Sequence, residues 1–147
     1  MRTIAVPNEV LLPEVVEMLF QGNLVTLKAK GNSMLPFIVG SRDSVMLQKN
    51  KEMRIGHIVL AEIAPQHFVL HRIIRIDNNR ITLMGDGNLA GTETCAAENI
   101  FGRAVAIIRN GKQVDCYSHV EQFKARIWKA LLPFRRYLLA VYRRTLL

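Results

Sequence analysis

Residues 68–84 read FVLHRIIRIDNNRITLM. Phe68–Ile76 and Arg80–Met84 are short β-prone runs, and Asp77-Asn78-Asn79 between them are turn formers, so the stretch predicts two strands joined by a tight connection. The pattern extends both ways. Leu24–Lys30, Ser44–Gln48, His57–Ile63, Ile100–Arg109 and Lys112–Tyr117 are runs of the same kind, parted by Gly40-Ser41, Gly85-Asp86-Gly87-Asn88 and Asn110-Gly111. Asn110-Gly111 is a strong hairpin signal, because both residues tolerate the positive φ of a two-residue turn. Ahead of the strands, Glu9–Phe20 carries Val10, Leu11, Val15, Met18 and Leu19 and predicts a short helix that ends at Gln21-Gly22-Asn23. The expectation is a compact, mainly β body over residues 1–120 with a short N-terminal helix.

The chain has 147 residues, room for one domain of ordinary size. It is 50% hydrophobic and 22% charged, which sets it apart from disordered sequences. No apolar run is long and charge-free enough to span a membrane, and Pro7, Asn8, Glu9, Pro13 and Glu14 break any signal-peptide pattern. Two cysteines outside a C-x-x-C pair do not make a disulfide framework and suit a reducing compartment. A cytoplasmic location, peripheral to a membrane, is expected.

The net charge of +8 is concentrated at one end. Residues 121–147 hold Lys124, Arg126, Lys129, Arg135, Arg136, Arg143 and Arg144 against the single acid Glu121. Ile127, Leu131, Phe134, Leu138 and Tyr142 recur at helical spacing on one side, with Lys129, Arg136 and Arg143 on the other, and Pro133 predicts a kink or two short helices. Such a basic amphipathic tail suits an anionic membrane surface; a helix packed on the body with a solvated basic face has the same pattern. No nucleic-acid-binding motif accompanies the charge, so nucleic acid is not the expected partner.

The chemistry centres on Lys30-Gly31-Asn32-Ser33-Met34-Leu35-Pro36. Gly31 allows a sharp bend where a strand ends, and Pro36 stiffens the exit. A serine at such a bend presents its hydroxyl and its own N–H together, a nucleophile with an oxyanion donor; an ordinary turn serine looks the same locally. His67 and His71 are four apart, roughly 13 Å on a strand, too far for one metal ion. No metal or other cofactor is expected.

The G-x-S-M-x-P box resembles the nucleophile box of type I signal peptidases and of the self-cleaving LexA-type repressors. Arg54–Ala61 resembles their x-x-G-D-I-V strand, Phe68–Ile74 their general-base strand, Leu83-Met84-Gly85-Asp86-Gly87-Asn88 the G-D-N-N box of the endoplasmic-reticulum and archaeal signal peptidases, and Ile100–Arg109 the closing strand. The order is preserved over residues 24–117. The implied fold is the coiled β-sheet of that superfamily. His71-Arg72 is similar to the endoplasmic-reticulum type, whose base is histidine rather than lysine. The resemblance implies Ser33 as nucleophile, His71 as general base and Asp86 steering the imidazole. It also puts Asn32 with the oxyanion donors and Met34 at the substrate pocket. A turn role for Asp86 and core packing for Met34 are the plain alternatives. The pattern departs at Gly31, where many signal peptidases have a second serine, and at Thr92, where the endoplasmic-reticulum type has a second aspartate.

The implied activity is a serine endopeptidase acting on an extended peptide or protein substrate. Two other readings share these residues: a self-cleaving LexA-type regulator, and an inactive peptide-binding or membrane-adaptor module.

Overall fold

The computed structural model describes residues 3–5, 12–49 and 52–145. The fold is mainly β. The strands are β1 (Thr3–Ala5), β2 (Leu24–Lys28), β3 (Ser44–Lys49), β4 (Ile58–Ala64), β5 (His67–Asp77), β6 (Arg80–Met84), β7 (Glu93–Ala96), β8 (Ile100–Arg109) and β9 (Lys112–Asp115). The helices are α1 (Leu12–Phe20), α2 (His119–Ala130) and α3 (Arg135–Thr145). The sheet runs β1-β2-β3-β8-β4-β5-β6-β7, with β9 hairpinned onto β8, and every pairing is antiparallel except β1 with β2. The predicted runs correspond to β2–β6, β8 and β9, with ends shifted by a residue or two. The sequence reading missed β1 and β7. Of the helix predicted over Glu9–Phe20, residues 9–11 lie outside the described residues.

The sheet is long and bent. Register shifts interrupt β3–β8, β4–β5, β4–β8 and β5–β6, and each bulge adds local twist. Two apolar clusters fill its two sides, and successive residues of β4 alternate between them. Ile58 and Leu60 join Val15, Leu19, Val45, Leu47 and Ile107, while Val59 and Ala61 join Ile73, Ile81, Leu83 and Ile100. A strand buried on both faces reads as a continuous apolar run, which is why β4 is unmistakable in the sequence.

The loop between β2 and β3 is the exception to strand logic, and Asp43 holds it. This fully buried carboxylate accepts from the Val39 N–H (2.8 Å) and from Arg42 Nε and Nη2 (2.8 and 3.1 Å), with Arg109 Nε at 3.8 Å. Its backbone carbonyl accepts the Ala29 N–H (2.9 Å), and the Ala29 carbonyl accepts the Ser41 N–H (2.9 Å). The two ends of the loop that carries Ser33 are thereby cross-tied.

The tail forms two helices, as Pro133 implies. Ser118 caps α2 by accepting the Glu121 N–H (3.2 Å), and a one-turn helix at Leu132–Phe134 separates α2 from α3. The predicted apolar face meets the body only in part. Trp128, Arg135 and Leu139 are buried instead, with Leu131 and Tyr142 half-buried, while Ile127, Phe134 and Leu138 are exposed. The buried positions Trp128, Leu131, Arg135, Leu139 and Tyr142 themselves recur at three- and four-residue steps, so the inward stripe is rotated from the predicted one and takes in the tryptophan and a buried arginine. Packing also follows what the body offers the indole of Trp128, a hydrogen bond that hydropathy does not register.

Burial alone would raise the Asp43 carboxyl, but the Arg42 and Val39 hydrogen bonds and the Arg42 and Arg109 charges hold it below its ordinary value of 3.8. A depressed carboxylate contributes stability above the unfolded-state pKa and loses it as pH falls through the folded-state value. Asp43→Asn is therefore expected to cost about 1–3 kcal/mol at pH 7, the range for hydrogen bonds to a charged group, since the Arg42 left behind is partly solvated. The gap to wild type should narrow below pH 3.8. Urea unfolding of both proteins across pH checks this.

Candidate active site

Ser33 and His71 meet although 38 residues separate them. Ser33 Oγ lies 3.1 Å from His71 Nε2. Ser33 is exposed at the end of the β2 extension, where Gly31 adopts φ 72°, while Met34 and Leu35 turn into the core. The rigid sheet supplies the histidine. Val59 of β4 is registered against His71 in β5, and β6 begins to pair β5 at the next residue, Arg72 against Met84, so His71 sits where the sheet is held by β4 on one side and β6 starts on the other. The ring itself is buried.

The carboxylate on the other ring nitrogen is Glu93, not Asp86. Glu93 Oε1 is hydrogen-bonded to His71 Nδ1. Ile73, Leu83 and Glu93 form one cross-strand row over β5, β6 and β7, and His71 lies two residues along β5 from that row, on the same face. The sequence reading missed Glu93 because it missed β7, a strand of only four residues. The signal was adjacent: Glu93 follows Thr92, the position where the family's second acid was absent.

Asp86 belongs elsewhere. Its buried carboxylate accepts from Arg72 Nε (2.9 and 3.2 Å) and Nη2 (2.7 Å), and Arg72 Nη1 donates to the Gly56 carbonyl (2.8 Å). Asp86 therefore ties the loop after β6 to the residue next to His71 and does not touch the imidazole. That loop passes directly beneath the serine: the Gly87 N–H donates to the Ser33 carbonyl (2.7 Å). A Cβ on Gly85 would stand 2.4 Å from the Ser33 carbonyl oxygen and 3.1 Å from His71 Nε2, so only glycine fits there.

Met34 packs in the core, its plain alternative. It is buried in the main core cluster, its sulfur accepts the Asp86 N–H (3.3 Å), and it lines a groove of about 290 Å³ beside the pair. Leu27, Ala29, Ile38, Leu60 and Phe68 are among its apolar lining, and the groove opens onto Ser33 and His71. Asn32 is exposed next to Ser33, and its carbonyl accepts the Leu35 N–H (3.3 Å). A larger cavity of about 630 Å³ lies between the sheet and α2, lined by Arg72, Asp86, Arg103, Tyr117 and Arg135; it reaches neither Ser33 nor His71. His57, expected at the surface, is half-buried there with its ring edge-on to Tyr117.

The thiols do not compete as nucleophiles. Burial pushes Cys116 up to about 12, against a smaller opposing effect of Arg72, and burial also raises Cys95. Folded protein at pH 8 is expected to react slowly with a disulfide reagent, and denatured protein to release two equivalents promptly. Fast release of one equivalent from the folded form would contradict this burial.

No curated protein matches the chain. The Peptidase S24-like family matches residues 3–105, more than two thirds of the chain and all of the Ser33, His71 and Glu93 geometry. A mainly β sheet with this serine loop agrees with the LexA and signal-peptidase superfamily expected from the sequence boxes, and the chain belongs to the Peptidase S24-like family, a family of serine peptidases.

Proposed function

We propose that the protein is a serine endopeptidase that uses Ser33, His71 and Glu93. The observation that carries the reading is the 3.1 Å approach of Ser33 Oγ to His71 Nε2, with Glu93 on the opposite ring nitrogen. In this mechanism His71 Nε2 takes the hydroxyl proton as Ser33 Oγ attacks the scissile carbonyl. Glu93 holds the Nδ1–H tautomer and stabilises the imidazolium. The oxyanion is met by the Ser33 N–H, with Asn32 beside it. His71 then returns the proton to the leaving amine, and water releases the acyl group by the same route. A histidine base aligns this chemistry with the endoplasmic-reticulum type of signal peptidase.

The substrate reading follows from the sheet. β6 pairs β5 only from Arg72 onward, so among the described residues His67–His71 have β4 on one side and no strand on the other. That backbone edge runs up to His71 along the apolar groove. An extended peptide laid on it would deliver its bonds to Ser33 and its small apolar side chains to the groove. A fluorophosphonate probe is expected to label the wild type and to fail on Ser33→Ala and His71→Ala. Glu93→Gln should slow labelling by about 10²- to 10⁴-fold, as loss of a triad acid does. Asp86→Asn, which changes no atom in contact with the imidazole, should slow it far less. Equal losses in both variants would remove Glu93 from its role. Mass spectrometry of incubated protein separates the self-cleaving alternative, which predicts a shortened chain that Ser33→Ala abolishes.

We further propose that α2 and α3 rest on an anionic membrane surface. No helix of the described residues is long and apolar enough to cross a membrane. Of the twelve large hydrophobic side chains exposed among the described residues, eight fall between Val120 and Val141, including Phe123, Ile127, Phe134 and Tyr137. Lys124, Arg126, Lys129, Arg136, Arg143 and Arg144 are exposed on the same helices. Apolar and aromatic side chains set among cations suit an interface with acidic lipid. The protein is expected to sediment with phosphatidylglycerol vesicles and not with phosphatidylcholine vesicles, and a Phe123→Ser/Phe134→Ser variant to lose most of that binding. Unchanged sedimentation of the variant would overturn this part.

A further inference from the structure

We infer that Trp128, in the helical segment beyond the family match, is a positioning residue for the nucleophile and acts through a single peptide group. The inference rests on Ser33 being the nucleophile. The Asp86–Gly87 peptide makes a hydrogen bond at each end: its carbonyl accepts the Trp128 Nε1–H (2.8 Å), and its N–H donates to the Ser33 carbonyl (2.7 Å). A trans peptide is a rigid plane with its C=O and N–H pointing in opposite directions. Rotation that breaks one bond breaks the other. Each bond also polarises the group toward the next. The indole N–H of α2 thereby holds the backbone of the residue whose hydroxyl and N–H would do the chemistry.

The surroundings show that the contact is built. Trp128 is 9% exposed, and the hydrogen bond is buried. The Arg135 guanidinium stacks on the indole with its carbon 5.1 Å from the ring. Arg135 also donates to the Trp128 carbonyl (Nη2, 3.4 Å) and to the Asn88 carbonyl (Nη1, 3.4 Å), bridging the helix to the same loop. Arg135 is 4% exposed, and no carboxylate lies within ion-pair distance of it among the described residues. Burial lowers its pKa, which makes a costly placement for a cation unless the loop contact matters. Asp86 completes the arrangement. Its side chain is fixed to Arg72 beside His71, its N–H to Met34 beside Ser33, and its carbonyl to Trp128. Nucleophile, base strand and tail helix are joined at one residue.

The test compares wild type, Trp128→Phe and Leu139→Val. The phenylalanine keeps an aromatic ring in place and removes only the donor and part of the volume. Leu139→Val trims the same core cluster without touching the hydrogen bond. Two measurements are made below the melting temperature of every variant: the rate of Ser33 labelling by a fluorophosphonate, and amide hydrogen exchange at Gly87. In wild type the Gly87 amide should be among the slow exchangers. In Trp128→Phe it should exchange at least tenfold faster and Ser33 labelling should slow about tenfold, the worth of one net hydrogen bond. Leu139→Val should leave both within about twofold. Fast Gly87 exchange in the wild type overturns the inference whatever the variants do. So does Trp128→Phe matching the wild type in both measurements, or Leu139→Val matching Trp128→Phe. A wild type never labelled at Ser33 overturns the peptidase reading, and the nucleophile-positioning role with it; Gly87 exchange then tests only whether the indole holds the Ser33 backbone, which its acceleration in Trp128→Phe shows and its constancy refutes.

Discussion

The buried Arg72–Asp86 ion pair is the constraint on which the site depends. Arg72 follows the histidine on β5, and Asp86 lies in the loop that supports Ser33 from below. Both side chains are largely out of water, at 13% and 3% exposed. Burial would lower the Arg72 pKa, but the Asp86 charge and hydrogen bonds more than offset it and raise it. Losing one partner of such a pair leaves an uncompensated charge and costs about 3–5 kcal/mol. The pair therefore sets where the loop sits relative to the strand, and with it the gap between the hydroxyl and the imidazole.

Two carboxylates divide the site between them, Asp86 on the loop beneath Ser33 and Glu93 on the imidazole. Asp86 is shielded, neutralised by a guanidinium and tied to three parts of the chain. Glu93 is more accessible, at 21% exposed, and it bonds the imidazole. An acid already bonded to Arg72 would be a poor partner for an imidazolium, because its charge is spent. Glu93 on a short outer strand brings an uncommitted charge to Nδ1. This separation explains how a G-D-G-N loop can carry its aspartate and still leave the ring to another residue.

The tail helices face two ways. Their inner side joins the core through Trp128 and Leu139 and reaches the serine loop. Their outer side leaves large apolar and basic residues in solvent. A helical segment can present both, because residues three and four apart share one side and leave the other to solvent. Whatever engages the outer side does so on elements already bonded to the loop beneath Ser33.

Much of this was legible in the sequence. Continuous or alternating apolar runs with turn formers between them determine β2–β6, β8 and β9, because strand burial is written in period and punctuation. The serine loop and the His71-Arg72 pair were also readable, since a glycine bend and a strand histidine are local features. Tertiary structure alone decided which acid meets His71. Asp86 and Glu93 each lie close to the site along the chain, and only the registers of β6 and β7, with the capture of Asp86 by Arg72, separate their roles. It also decided which side of the tail is buried, because the core takes in Trp128 and Leu139 and a loop more than forty residues away offers the indole a hydrogen bond. Periodicity records what a segment could bury; the partner waiting across the fold determines what it does bury.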